Sequence, residues 1–254
     1  MKIRVLGCSG GIGVGLHSTS FLIDDDILID AGTGINELTF DEMAKIRHIF
    51  LTHTHLDHIA CLPLMVDSIF THIDSPIVIH GQACSIETLK THIFNWNIWP
   101  DFASLPFGSN PVMCYDSFEP GTFRELNGRR FEMIPVNHIV PTVGYRVSDD
   151  HGSFAYSGDT TSNDSLWDAL NAHDTLDVLI VEVAFSNEQR ELSHKARHYC
   201  PSLLAGDLVK LRHDPRIFLT HNKPGYEALI MEQCRAAIAN RELDVLKGNL
   251  VIDI

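Results

Sequence analysis

A chain of 254 residues with 44% hydrophobic side chains can bury a sizeable core. Its formal charge of −14 at neutral pH weighs against a general polyanion-binding surface, because gripping a phosphate backbone requires Lys and Arg to neutralise it. The six cysteines, Cys8, Cys61, Cys84, Cys114, Cys200 and Cys234, are scattered without a C-x-x-C pair, the pattern of free thiols rather than of a disulfide framework. The opening residues lack the apolar region of a signal peptide and no apolar run is long enough to span a bilayer, so a cytoplasmic protein without a membrane partner is expected. No Pro-, Gly- or Ser-rich linker divides the chain, which reads as a single domain over 1–254.

The chain opens with a predicted strand from Lys2 to Cys8, then the glycine-rich loop Ser9-Gly10-Gly11-Ile12-Gly13-Val14-Gly15. Such a loop after a strand invites a dinucleotide-binding reading, but no helix-period segment follows and no acidic residue closes a βαβ unit. Two further strands, Thr19 to Ile23 and Ile27 to Asp30, flank the turn Asp24-Asp25-Asp26. Then, directly after the apolar run Ile49-Phe50-Leu51, comes Thr52-His53-Thr54-His55-Leu56-Asp57-His58. Three imidazoles and a carboxylate so close together have no packing explanation, because buried polar groups need partners and exposed ones gain little from clustering. They read as metal ligands. In extended backbone His53 and His55 share a side, while Asp57 and His58 fall where the chain turns into a predicted helix from Ile59 to Phe70, so each pair can serve its own cation. Imidazole with carboxylate suits Zn²⁺, Fe or Mn, and no thiolate in the run closes the site, which should be open and catalytic.

The run resembles the H-x-H-x-D-H motif of the metallo-β-lactamase superfamily, and Leu56 before Asp57 is similar to the H-x-H-L-D-H form of class II cyclic-nucleotide phosphodiesterases. The resemblance extends over nearly the whole chain. It implies that Asp30 supports the ligands from behind, although a turn carboxylate is an equal reading of that residue.

Beyond the motif, Pro76 to His80 reads as a strand and Gln82 to His92 as a helix, with His80 and His92 as ordinary surface or core histidines. The aromatic stretch around 93–112, with Trp96, Trp99 and Phe102 as exposed candidates, resembles an insertion in bacterial relatives. Core packing, a dimer contact and a substrate wall are all open to it. Predicted strands follow at Val112 to Tyr115, Arg130 to Val136, Val143 to Val147, Ser153 to Tyr156 and Val178 to Val183. Helices are expected at Asn187 to His198, Pro201 to Arg212 and Gly225 to Ala239, and a last strand at Leu250 to Ile254.

The resemblance carries over His138, Asp159 and His221, each just after a strand end. Together they imply an αββα metallo-β-lactamase sandwich. His53, His55 and His138 hold one metal, Asp57, His58 and His221 a second, and Asp159 bridges. Two cations roughly 3.5–4 Å apart can share a hydroxide and clamp a phosphoryl oxygen, so the reaction class is hydrolysis with Asp57 central to it. The implied cofactors are two divalent ions, zinc first, with manganese or iron accepted by the same ligands. The substrate implied is a 3′,5′-cyclic nucleotide, cAMP or cGMP, cleaved to the 5′-nucleotide by a homodimer. His198, oriented by Glu182, resembles the residue that protonates the leaving group, whereas without the resemblance it reads as a cation at a helix end. Alternatives are a ribonuclease Z-like tRNA 3′-processing endonuclease, disfavoured by the acidic balance, and a di-iron oxygen-binding sensor.

Overall fold

Apolar side chains alternate along the strands so that both faces of each sheet are buried. Ile27 and Ile29 face one way and Leu28 the other; Val178 and Ile180 oppose Leu179 and Val181 in the same manner. The computed structural model describes residues 1–107 and 110–254. Its first sheet contains β1 (Lys2–Gly7), β2 (Ser20–Ile23), β3 (Ile27–Ile29), β4 (His48–Phe50), β5 (Ile77–Gly81) and β6 (Met113–Ser117). The second contains β7 (Phe123–Leu126), β8 (Arg129–Pro135), β9 (Val143–Ser148), β10 (Ser153–Tyr156), β11 (Val178–Glu182), β12 (Arg216–Thr220) and β13 (Leu243–Val245). A last strand, β14 (Val251–Asp253), returns to pair with β1, giving seven strands in each sheet.

The two sheets repeat one plan. From β1 to β3 the pairing is antiparallel and from β3 to β6 parallel; from β7 to β10 it is antiparallel and from β10 to β13 parallel. Three apolar clusters mark three layer contacts. One lies between the sheets, including Ile3, Val5, Phe50, Phe131, Tyr145 and Phe154. Another packs Leu62, Met65, Val66 and Leu89 on the outer face of the first sheet. The third packs Leu166, Trp167, Leu204 and Ile230 on the outer face of the second. The architecture is the αββα sandwich.

Several expected boundaries shift for identifiable reasons. The helix expected from Ile59 to Phe70 is two pieces, Leu56–Ile59 and Leu62–Ser68, because the backbone between them bonds to the end of the first sheet: Ala31 N–H donates to His58 O (2.7 Å) and Cys61 N–H to Ala31 O (3.0 Å). The helix expected to reach His198 ends at Ala196. In the aromatic stretch 93–112, of which 108 and 109 lie outside the described residues, Phe102 is not exposed. It packs in the first outer core, near Phe70 and Phe94, and Trp99 is half-buried against it. The exposed aromatics are Trp96 and Phe107, whose rings stack on each other. His80 is a core histidine: its ring stacks on Phe50 and its Nδ1 meets Asp116 Oδ2 at 2.9 Å. Among the described residues no helix is long and apolar enough to cross a membrane.

Phe50 lies between His80 (centroids 4.3 Å) and Phe131 (4.2 Å) and so ties β4 to the opposite sheet. Phe50→Ala is expected to cost about 3–5 kcal/mol in urea unfolding. A loss below about 1 kcal/mol would show that the sheets do not depend on this stack.

Candidate metal centre

The loop after β4 is shaped by one buried carboxylate. Asp30, at the end of β3 and fully buried, accepts from Thr52 N–H (2.8 Å), Thr52 Oγ1 (2.8 Å) and His58 Nδ1 (2.7 Å). Thr52 Oγ1 in turn lies 3.1 Å from His53 Nδ1. His55 then caps the short helix that carries Asp57 and His58. His138 stands on the loop between β8 and β9, with its Nδ1 3.0 Å from Arg197 O. In His53, His58 and His138 the partner at Nδ1 therefore sets the tautomer and leaves the Nε2 lone pair facing inward.

Asp159 follows β10 through Gly158, which has φ +60°; a Cβ there would meet Val143 O at 2.5 Å, so only glycine fits. His221 follows β12, and the glycine-rich loop closes over it: His221 N–H donates to Cys8 O (2.8 Å) and Gly10 N–H to Asn222 O (3.0 Å). A Cβ on Gly10 would approach His221 O to 2.3 Å. The loop glycines thus serve contact with a site residue.

The seven residues singled out in the sequence meet at this edge of the sandwich. Ligand atoms of His53, His55, His138 and Asp159 lie within 4.8 Å of one another, and so do those of Asp57, His58, Asp159 and His221. Asp159 belongs to both groups. Its Oδ2 faces His53 Nε2 (3.7 Å) and His138 Nε2 (4.0 Å), while its Oδ1 faces His58 Nε2 (3.4 Å) and His221 Nδ1 (3.3 Å). Asp57, part-exposed, has its Oδ2 3.7 Å from His221 Nε2. Among the described residues His53 Nε2, His58 Nε2, Asp159 Oδ1 and both ring nitrogens of His221 are buried without a hydrogen-bond partner. Buried polar atoms are rarely left so, and these all point into the two groups, as donors to cations would. The donor set, imidazole and carboxylate, fits divalent ions.

Electrostatics agree with that use. Burial pushes the pKa of His53 well down, that of His138 to about 4 and that of His221 to about 3, so these imidazoles are neutral and available as donors near neutral pH. Burial alone would raise Asp159, but the facing histidines outweigh it and hold the carboxyl well below its usual range. His58 is the exception: the carboxylates of Asp159 and Asp30 outweigh burial and raise its pKa, so it must give up a proton before Nε2 can serve a cation.

His198 and Glu182 adjoin these groups. His198 Nδ1 is 2.7 Å from Glu182 Oε1, and the carboxylate also accepts from Thr160 N–H (2.9 Å) and Ala184 N–H (3.0 Å). The His198 ring stacks on His221 (5.3 Å) and meets His138 edge-on (4.8 Å), which sets it across both groups. Sequence reading had omitted Thr52 and Arg197. Thr52 immediately precedes the motif, a position that offers a signal; nothing in the sequence marks Arg197.

Two His and Asp groups at the edge of a two-sheet sandwich define a metallo-hydrolase. The chain belongs to the β-lactamase superfamily, a superfamily of hydrolases: the family described as "Beta-lactamase superfamily domain" matches residues 25–221. It is 28% identical over 257 residues to a probable 3′,5′-cyclic-nucleotide phosphodiesterase of Yersinia pestis, spanning 83% of this chain and 72% of that protein. It is 27% identical over 250 residues to the 3′,5′-cyclic-nucleotide phosphodiesterase of Aliivibrio fischeri, spanning 81% and 74%. The crystal structure of unliganded yeast PDE1 shares the fold, with a TM-score of 0.86 at 17% identity over 100% of this chain and 99% of that one.

Because Asp30 orients His58 directly and His53 through Thr52, Asp30→Ala is expected to weaken metal binding about 10–100-fold. A chelator-competition titration checks this. Unchanged affinity for every bound ion would remove Asp30 from the support of the site.

Proposed function

We propose that the chain is a dinuclear phosphodiesterase that hydrolyses 3′,5′-cyclic nucleotides, cAMP or cGMP, to 5′-nucleotides. The observation that carries the dinuclear reading is Asp159, whose two oxygens face two different histidine groups. The substrate class is supported by the names of the Yersinia pestis and Aliivibrio fischeri relatives. His53, His55 and His138 would hold one ion, Asp57, His58 and His221 the other, and Asp159 both, with zinc suited to the donors. Two such ions, when bound, supply Lewis acidity toward a phosphoryl oxygen and lower the pKa of water.

The chain's own residues act on the leaving group. Glu182 accepts the Nδ1–H of His198 and so leaves Nε2 to give its proton to the departing sugar oxygen. Burial would lower the His198 pKa, but the Glu182 carboxylate outweighs it and raises the value, so the acid form persists above the ordinary histidine range. We read the chain as one domain and place it in the cytoplasm, a reading supported by six free thiols. We also propose a homodimer through Trp96, Ile98 and Phe107, which are 56%, 65% and 77% exposed. A monomeric mass by light scattering of the active protein at micromolar concentration would refute it.

Metal-loaded protein should turn over cAMP or cGMP together with bis(p-nitrophenyl) phosphate. Cleavage of a 3′-extended tRNA alone would assign the chain to the tRNA-processing activity instead. Oxygen-responsive iron bands without phosphodiester turnover would make it a sensor. Asp57→Ala should lose the second ion by elemental analysis and with it hydrolysis, while circular dichroism stays native; one ion in fully active wild-type protein would sink the dinuclear reading.

His198→Ala should keep both ions and lose on the order of 10²–10⁴ in kcat with an alkoxide leaving group, but much less with p-nitrophenolate. In the wild type, protonated His198 is the active form, so kcat should fall as pH rises through its raised pKa, and the variant should lack that limb. Equal losses for the two leaving groups would rule out the acid role.

A further inference from the structure

We propose that Arg197 is a positioning residue for His138, acting through its guanidinium; the inference rests on the reading of His138 as a metal ligand. Arg197 ends the helix Arg190–Ala196 in the left-handed conformation, φ +54° and ψ +53°. That position favours glycine, because an L side chain is strained there. The turn is otherwise well made: His198 N–H donates to Ser193 O (3.0 Å) and Ser193 Oγ to His198 O (2.7 Å), which sends His198 toward the site. A glycine would serve that turn better than arginine does, so the side chain needs a separate reason.

The reason lies across the site edge. Arg197 Nη1 donates to His138 O at 2.9 Å, and the same nitrogen is 3.5 Å from Asn137 Oδ1. In return His138 Nδ1 donates to Arg197 O at 3.0 Å. One residue therefore holds its neighbour at two points: its carbonyl fixes the imidazole ring, and its side chain fixes the backbone that carries the ring. His138 needs the second hold because it stands on a loop rather than on β8 or β9, beside Ile139, whose side chain is exposed. Asn137, just before His138, is anchored at its own N–H by Thr160 Oγ1 (3.1 Å) and at its carbonyl by Thr161 N–H (2.9 Å), and the guanidinium extends that hold one peptide further, to the His138 carbonyl. With both bonds, ring and backbone are fixed together, which would preorganise His138 as a ligand.

Arg197→Gly separates this role from helix ending, since glycine keeps the carbonyl and relieves the left-handed strain. The full-length apo protein should melt at the wild-type temperature or above. Zn²⁺ titration against a chromophoric chelator should show the ion lost in His138→Ala bound about 10–100-fold more weakly in Arg197→Gly. The other ion should be held as in wild type. Arg197→Lys, which keeps one donor, should recover part of the loss. Wild-type affinity for both ions in Arg197→Gly would overturn the proposal, as would an affinity loss matched by a fall in apo melting temperature. If His138→Ala itself binds both ions normally, the ligand reading fails and the inference falls with it.

Discussion

A carboxylate removed from water must be compensated on every side, and Asp159 is the place where this chain meets that demand. It has 1% of its surface exposed and faces His53, His58, His138 and His221. Isolated burial of that charge would cost several kcal/mol. The histidines reduce the cost, yet they are themselves buried and leave ring nitrogens without partners. The cluster is thus incomplete in polar terms on its own, and cations are the species that would satisfy both kinds of donor at once. Asp30 does the complementary work from behind, where three donors satisfy it fully within the protein.

How much of this was visible in the sequence depends on whether a residue's reason is local. The run from His53 to His58 was legible because so many imidazoles in one short stretch have no packing use. His138, Asp159 and His221 are single residues after strand ends, and only the likeness to a family singled them out. Alternating apolar residues placed β8 to β11 nearly to the residue. β7 escaped because Arg124 and Glu125 occupy its middle, and Arg124 spends its charge on Asp116 across the gap between the sheets, at 2.6 and 2.9 Å.

The errors have tertiary causes. Periodicity continued the helix from Ile59 through Phe70 because it cannot register that Cys61 N–H finds Ala31 O rather than a carbonyl of its own helix. For the aromatic stretch, core packing, a dimer contact and a substrate wall were all open, with Phe102 an exposed candidate, and it is core packing that Phe102 takes, its ring filling the outer core of the first sheet. Arg197 was invisible for a related reason: its partner is 59 residues away, and an arginine at a helix end has an ordinary explanation in the helix dipole.

The repeated sheet plan has a consequence for the order in which the molecule can be completed. His53, His55, Asp57 and His58 come from the half of the chain that builds the first sheet, whereas His138, Asp159 and His221 come from the half that builds the second. On the proposed assignment, neither half would supply every ligand of either ion. During synthesis the early segment would offer only part of such a set, and His221 emerges last of the seven, after β12. If the proposed ligands hold metal, tight binding would require the two sheets to have met, and occupancy would report on their assembly.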